Sequence, residues 1–240
     1  MDKSIFTQHI SAQFNEELED IVNRAMAMGG LVEQQLADAM AGLAEGDSGK
    51  AELVVTRDYQ VNAMEVALDE ECTYILARRQ PTASDLRLVM AVIKTITDLE
   101  RIGDEAERIG KMALHLLEKD RELHPMADIA ALGEYVRRML HTALDAFARM
   151  DTDQAVRTAQ MDFSADSQYE EIMRQLLKRM RDDPEAIPRV MDMIWAVRSL
   201  ERIGDRSRNI CEYVIYFVLG KDVRHVSFEQ MAEEATGDRR

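Results

Sequence analysis

Glu100 and Asp104 stand four residues apart, and so do Glu201 and Asp205. On an α-helix that spacing puts both carboxylates of a pair on one face, where like charges repel by about 0.2–0.5 kcal/mol. A glycine sits inside each motif, Gly103 and Gly204, at a cost of about 1 kcal/mol relative to alanine in a helix. Both pairs belong to one hexapeptide, Leu99-Glu100-Arg101-Ile102-Gly103-Asp104, which recurs unchanged as Leu200-Glu201-Arg202-Ile203-Gly204-Asp205. Two unfavourable choices made twice imply something that compensates for them. Asp58 with Asn62, and Asp162 with Asp166, repeat the four-residue spacing one helix earlier. Together these side chains offer oxygen donors only, the set that suits Mg²⁺, Mn²⁺, Ca²⁺ or ferric iron. The competing reading is a solvated acidic face with intrahelical pairs to the arginines. Ile93 and Ile96, on the side of Glu100, and Ile194 and Val197, on the side of Glu201, weaken it, because that side begins apolar. Leu99, Ile102, Ala106 and Ile109 lie on the opposite side and point to a core.

Other chemistries find little support. A ferritin-type di-iron enzyme needs Glu-x-x-His motifs, and no Glu here is followed by His at i+3; His9, His115, His124, His141 and His225 are scattered. There is no GxSxG, Walker A or GxGxxG pattern, so the chain does not read as an enzyme. Cys72 and Cys211 form no CxxC or Cys/His cluster and read as small buried thiols. A formal charge of −15 repels phosphate backbones, which argues against nucleic-acid binding. Residues 1–20 lack an apolar signal core, and the strongest apolar run, Tyr213 to Leu219, falls far short of the roughly 18 residues of a membrane span. The expectation is a cytoplasmic chain.

The elements that must position the carboxylates are helical. Only four prolines and eleven glycines occur, and Ala, Leu, Glu, Arg and sixteen methionines favour helix. Most of the methionines should fill the core. Ile10, Phe14, Leu18, Ile21, Ala25, Met28, Val32, Leu36, Ala39 and Leu43 advance by threes and fours, one face of a long helix. Pro81, Pro125, Pro184 and Pro188, with GDSG at 46–49, mark breaks. They delimit six helices, 7–44, 50–79, 83–119, 126–150, 152–181 and 185–219. Short links imply antiparallel neighbours. Around the hexapeptide, DLRLVMAVIKTITDLERIGD faces AIPRVMDMIWAVRSLERIGD, and Pro81 aligns with Pro184. An internal duplication follows: an all-α protein of two pseudo-symmetric three-helix bundles, residues 1–122 and 123–220, with a polar, partly ordered tail at 221–240. Trp195 reads as core. Tyr213 to Leu219, apolar all round, reads as buried between bundles or at a dimer contact.

At TDLERIGDEAERIG (97–110), SLERIGDRSRNICEYVIYFVLGKDVRH (199–225), RDDPEAI (181–187) and the QP turn (80–81), the sequence resembles the PhoU family, accessory and regulatory proteins of bacterial phosphate-specific transport. The resemblance spans nearly the whole chain. It implies paired three-helix bundles with metal-binding motifs on the third helix of each, here Glu100 with Asp104 and Glu201 with Asp205. Asp58, Asn62, Asp162 and Asp166 match the facing positions on the second helices. The metal implied is iron, zinc, magnesium or manganese. One departure stands out: the second copy continues to Asn209, as the family does, whereas the first has Arg108 there, a cation that should weaken the first site. The resemblance also implies a homodimer and a negative regulator of the phosphate-starvation response. It would contact the phosphate ABC transporter, through its ATPase subunit, and the sensor histidine kinase, so that membrane association is indirect. A helical adaptor without functional metal is the rival reading.

Overall fold

The computed structural model describes residues 12–119 and 127–236. The stripe from Phe14 to Leu43 is buried along helix α1 (Ala12–Glu45). Gly46, at φ +74, breaks the chain, and Asp47 caps α2 (Ser48–Arg57) by accepting from the Lys50 amide at 3.0 Å. Helix α3 (Tyr59–Arg79) ends at Gln80 in the left-handed region, and α4 (Ala83–Lys119) carries the first hexapeptide. In the second half, α5 (Ala127–Arg149) leads to α6 (Thr152–Asp182), capped by Asp151 on the Gln154 amide at 2.9 Å. A 3₁₀ turn at Pro184–Ala186 opens α7 (Ile187–Leu219), which carries the second hexapeptide, and α8 (Phe228–Thr236) follows. Among the described residues there are no strands, and no helix is long and apolar enough to cross a membrane.

Helix α4 packs on α1, α2 and α3; α7 packs on α5 and α6; and α4 and α7 lie against each other where the halves meet. Leu99, Ile102, Ala106 and Ile109 have no exposed surface, nor have Leu200 and Ile203. The hexapeptide's apolar side therefore faces the core in both halves, and Cys72 and Cys211 are buried, free thiols. Of the run expected to be buried from Tyr213 to Leu219, Tyr213, Val214, Ile215 and Phe217 are buried, whereas Tyr216 and Leu219 are half-buried and Val218 is 39% exposed; the Tyr213 hydroxyl donates to Asp98 across the halves at 2.7 Å, and Arg87 donates to the Phe217 carbonyl at 3.2 Å.

Three expectations need correction. The helix expected at 50–79 is interrupted at Asp58. Thr56 Oγ1 bonds back to the carbonyls of Glu52 (2.8 Å) and Leu53 (3.3 Å), which competes with the helical ladder and bends it. The Asp58 carbonyl then accepts from the Val61 amide at 2.9 Å, closer than from Asn62 at 3.4 Å. Trp195 is not core but 45% exposed. The buried side of α7 runs through Val190, Met193, Ala196 and Val197, and Trp195 shares the outward side with Ile187 and Met191. The tail is more ordered than expected: α8 lies on α6 with Met231 fully buried, and Phe228 meets Phe163 edge-on at 5.7 Å between ring centroids. The expected helix start at 7, Ile10, the boundary at 122/123, Pro125 and residues 237–240 lie outside the described residues.

Candidate functional site

The structure gathers the sequence-predicted carboxylates into two clusters, one per half. In the first, Asp58 comes from the bend between α2 and α3, and Glu100 and Asp104 come from α4. Asp58 is only 7% exposed; its Oδ2 accepts from the Asn62 amide at 3.2 Å, and its Oδ1 is buried without a hydrogen bond of normal geometry, although the Gln35 side chain lies beside it. Burial raises its carboxyl above the ordinary range, the charges of Asp104 and Glu107 raise it further, and Asn62 and Gln35 draw it part of the way back down. Glu100 is raised by burial, then by Asp104 and Glu65; Asp104 by burial, then by Glu107 and Glu105. Three carboxyls that each resist ionisation because of their neighbours form one electrostatic unit.

The second cluster repeats the plan with Asp162 and Asp166 from α6 and Glu201 and Asp205 from α7. Asp162, 4% exposed, is pushed up to about 6 by burial and then by Asp166 and Asp205. Glu201 and Asp205 are also raised, burial first, then Asp205 on the one and Asp166 on the other. Here a cation intervenes: Arg208 Nη1 donates to Asp162 Oδ2 at 3.3 Å, and its Nε lies 3.3 Å from Glu212. Burial takes the Glu212 carboxyl up to about 7 against that pull.

The first glycine now has a reason. A Cβ on Gly103 would stand 3.2 Å from Asp58 Oδ1, 3.3 Å from Gln35 Oε1 and 3.3 Å from Val61; one on Gly204 would stand 3.5 Å from Asp162 Oδ1. The missing side chain at Gly103 lets Asp58 close on the hexapeptide, whereas at Gly204 the surroundings would admit a methyl in ordinary contact. Close approach of carboxylate to helix is thus what the cost of Gly103 supports.

The donor chemistry fits a hard cation: oxygens only, with Asp58 Oδ1 buried and closing no hydrogen bond of normal geometry. Among the described residues, no three His, Cys, Asp or Glu side chains converge closely enough to hold an ion as they stand, so holding one requires side-chain rotation. Arg108, expected to intrude on the first site, donates instead to the Glu105 carboxylate at 3.1 and 3.3 Å, although its charge still eases Asp104. The arginine that bonds a site aspartate is Arg208, in the other half. Glu65 and Glu107 join the first cluster without having been singled out; they lie three residues after Asn62 and Asp104, a helical neighbour spacing that could have found them.

Between the clusters, α4 and α7 exchange polar bonds related by the duplication. Arg206 donates to Asp98 at 3.1 Å. At the pseudo-equivalent place, Ser199 donates to Glu105 at 2.6 Å, with Arg202 joining Glu105 at 2.8 Å.

Comparison with known proteins follows the same division. A PhoU domain matches residues 25–113 and again 129–214. The phosphate-specific transport system accessory protein PhoU homolog of Pseudomonas aeruginosa is 49% identical over 239 residues, covering 100% of this chain and 99% of its own length. The accessory protein PhoU of Escherichia coli K12 is also 49% identical over 239 residues, covering 99% of this chain and 98% of its own. The crystal structure of PhoU from Pseudomonas aeruginosa superposes with a TM-score of 0.84 at 50% identity, over 87% of this chain and 100% of that one. That of the phosphate transport system regulatory protein PhoU from Streptococcus pneumoniae gives 0.82 at 31%, over 88% and 99%.

Proposed function

The chain belongs to the PhoU family, and on that premise we propose that it is an accessory regulator of phosphate-specific transport, not an enzyme. It restrains phosphate uptake and the phosphate-starvation response when phosphate is plentiful. It does so in the cytoplasm, as a homodimer, by contact with the ATPase subunit of the phosphate ABC transporter and with the sensor histidine kinase. Basic segments on those partners are the natural complement of a chain with a formal charge of −15.

In this reading the two clusters are cation sites for Mg²⁺, Mn²⁺, iron or zinc. The observation that carries it is the buried Asp58 oxygen on which no hydrogen bond of normal geometry closes, set among carboxyls that burial and mutual repulsion keep from ionising. A bound cation would neutralise that repulsion. Asp58, Glu100 and Asp104 would hold it in the first half, with the neutral Asn62 steadying Asp58. Asp162, Asp166, Glu201 and Asp205 would hold it in the second. A second reading, a helical adaptor without functional metal, is favoured by the lack of convergence noted above among the described residues.

Two measurements separate these. Chelator-treated protein should melt several degrees higher after Mg²⁺ or Mn²⁺ is added, and Asp58→Asn should remove much of that gain; a melting temperature indifferent to every added metal leaves the adaptor. A deletion strain should express phosphate-starvation genes in rich medium. Complementation by Glu201→Ala with Asp205→Ala, beside Glu100→Ala with Asp104→Ala, then asks which cluster repression needs. A deletion strain that represses normally rules out the regulator.

A further inference from the structure

Adjoining the second carboxylate cluster, and sharing Asp205 with it, lies a cleft of about 430 Å³ formed by α7 and the loop between α7 and α8. Its walls carry three guanidiniums, Arg206, Arg208 and Arg224, with the carboxylates of Asp205 and Glu212 and with Asn209, Tyr213 and His225 among them. Three arginines in one cleft are unexpected on a chain with 45 acidic and 30 basic residues.

Each guanidinium is anchored by a carboxylate from a different place. Arg206 is held by Asp98 on α4 at 3.1 Å. Arg208 is held by Asp162 on α6 and by Glu212, both at 3.3 Å. Arg224 binds Asp222 through Nε and Nη2, at 2.9 and 2.5 Å. A guanidinium has five N–H donors, and these anchors use one or two each. What remains is a set of oriented donors whose rotamer freedom is already spent, the arrangement that favours bidentate binding of oxyanions. His225 is held at φ +67, a backbone conformation that costs a residue with a Cβ and persists only where its surroundings impose it.

The duplication sharpens the point. Aligned on the hexapeptide, Arg206 and Arg208 replace Glu105 and Glu107 of the first repeat. The exchange is not one-way, since Arg108 and Lys111 become Asn209 and Glu212. By formal charge these four positions sum to zero in the first repeat and to +1 in the second, and Arg224 adds a guanidinium from the loop with Asp222 beside it. The second half has therefore gained positive charge on this surface.

We propose that this cleft is a receptor for a tetrahedral oxyanion, either free phosphate or the phosphate group of a small phosphorylated molecule, bound between Arg206, Arg208 and Arg224. The cleft shares Asp205 with the second cation site, so its test removes metal to read the anion alone. Full-length protein, treated with chelator and kept at constant ionic strength, is titrated with inorganic phosphate and with AMP by calorimetry and thermal shift. Binding should be saturable and raise the melting temperature. Asn209→Asp puts an unpaired negative charge on the wall without removing an anchor, and Arg224→Gln removes a donor from a loop. Each should weaken binding by about tenfold or more, while the remote Arg137→Gln leaves it unchanged. Equal affinities for the two probes assign the free ion; AMP tighter by about tenfold assigns a phosphorylated small molecule. No saturable binding by either up to about 10 mM, or binding indifferent to both cleft variants, overturns the proposal.

Discussion

The two halves carry the same hexapeptide, yet their carboxylates live differently. In the first, Asp58 sits at a bend between two helices and one of its oxygens is buried without a hydrogen bond of normal geometry. In the second, Asp162 sits on an unbroken helix and its carboxylate is partly neutralised by Arg208. One motif thus frames an acidic cluster that Arg108 and Lys111 ease through space and another that Arg208 bonds directly. The repeated residues fix where carboxylates converge; the unrepeated neighbours fix how much charge they carry.

The largest test concerns the bonds between the halves. Asp98→Ala would leave Arg206 and the buried Tyr213 hydroxyl without their shared acceptor. Breaking a buried pair on one side costs about 3 kcal/mol or more. Its pseudo-equivalent, Ser199→Ala, removes one hydroxyl from a Glu105 that keeps Arg202 and Arg108, and should cost about 1 kcal/mol. Urea unfolding measures both. Equal losses would mean that the contact between the halves is symmetric in energy as well as in position.

Next comes pH. Asp162 has a folded value of about 6, above the ordinary 3.8. Between those values the folded state holds a proton that the unfolded chain releases. The associated stability is full below the lower value and is lost as pH rises through the upper one. Metal-free protein should therefore melt lower at pH 7 than at pH 5 by this contribution, and Asp162→Asn should flatten the dependence between about 4 and 6. Asp58→Asn should act in the same direction, because burial and its acidic neighbours raise that carboxyl as well. A dependence that survives both substitutions would assign it to other groups.

How much of this could be read beforehand depends on distance along the chain. The carboxylate pairs, the buried side of the hexapeptide and the duplication are local or periodic, and they were legible in spacing alone. The bend at Asp58 was not, because no Pro or Gly marks it; it arises from the Thr56 hydroxyl competing for carbonyls within its own helix. The bonds of Asp98 and Glu105 were invisible because they need α4 and α7 side by side, about a hundred residues apart. Trp195 was misplaced because a stripe of apolar residues does not say which of two adjacent stripes meets the neighbouring helices. Helix α8 was undervalued because its short apolar side, Phe228, Met231 and Ala235, gains meaning only against α6.

The smallest effect is the most discriminating, because its sign should differ between the halves. Replacing glycine by alanine inside a helix gains about 1 kcal/mol from backbone entropy when there is room for the methyl. At Gly204 there is room: the nearest atoms, Asp162 Oδ1, Ala165 and Met139, would lie at 3.5, 3.9 and 4.0 Å, ordinary contact. At Gly103 there is not: the three nearest atoms would lie at 3.2–3.3 Å, and one is the buried Oδ1 of Asp58. A methyl there presses on Asp58, Gln35 and Val61 together, and pushes α3 off α4. Gly204→Ala should thus raise the melting temperature by a few degrees and Gly103→Ala should lower it. Under the cation reading, Gly103→Ala should also blunt the response to added Mg²⁺, since it displaces the aspartate the ion needs. Shifts of the same sign at both positions would mean that the two hexapeptides sit in equivalent surroundings after all, and that the difference between the halves lies in charge alone.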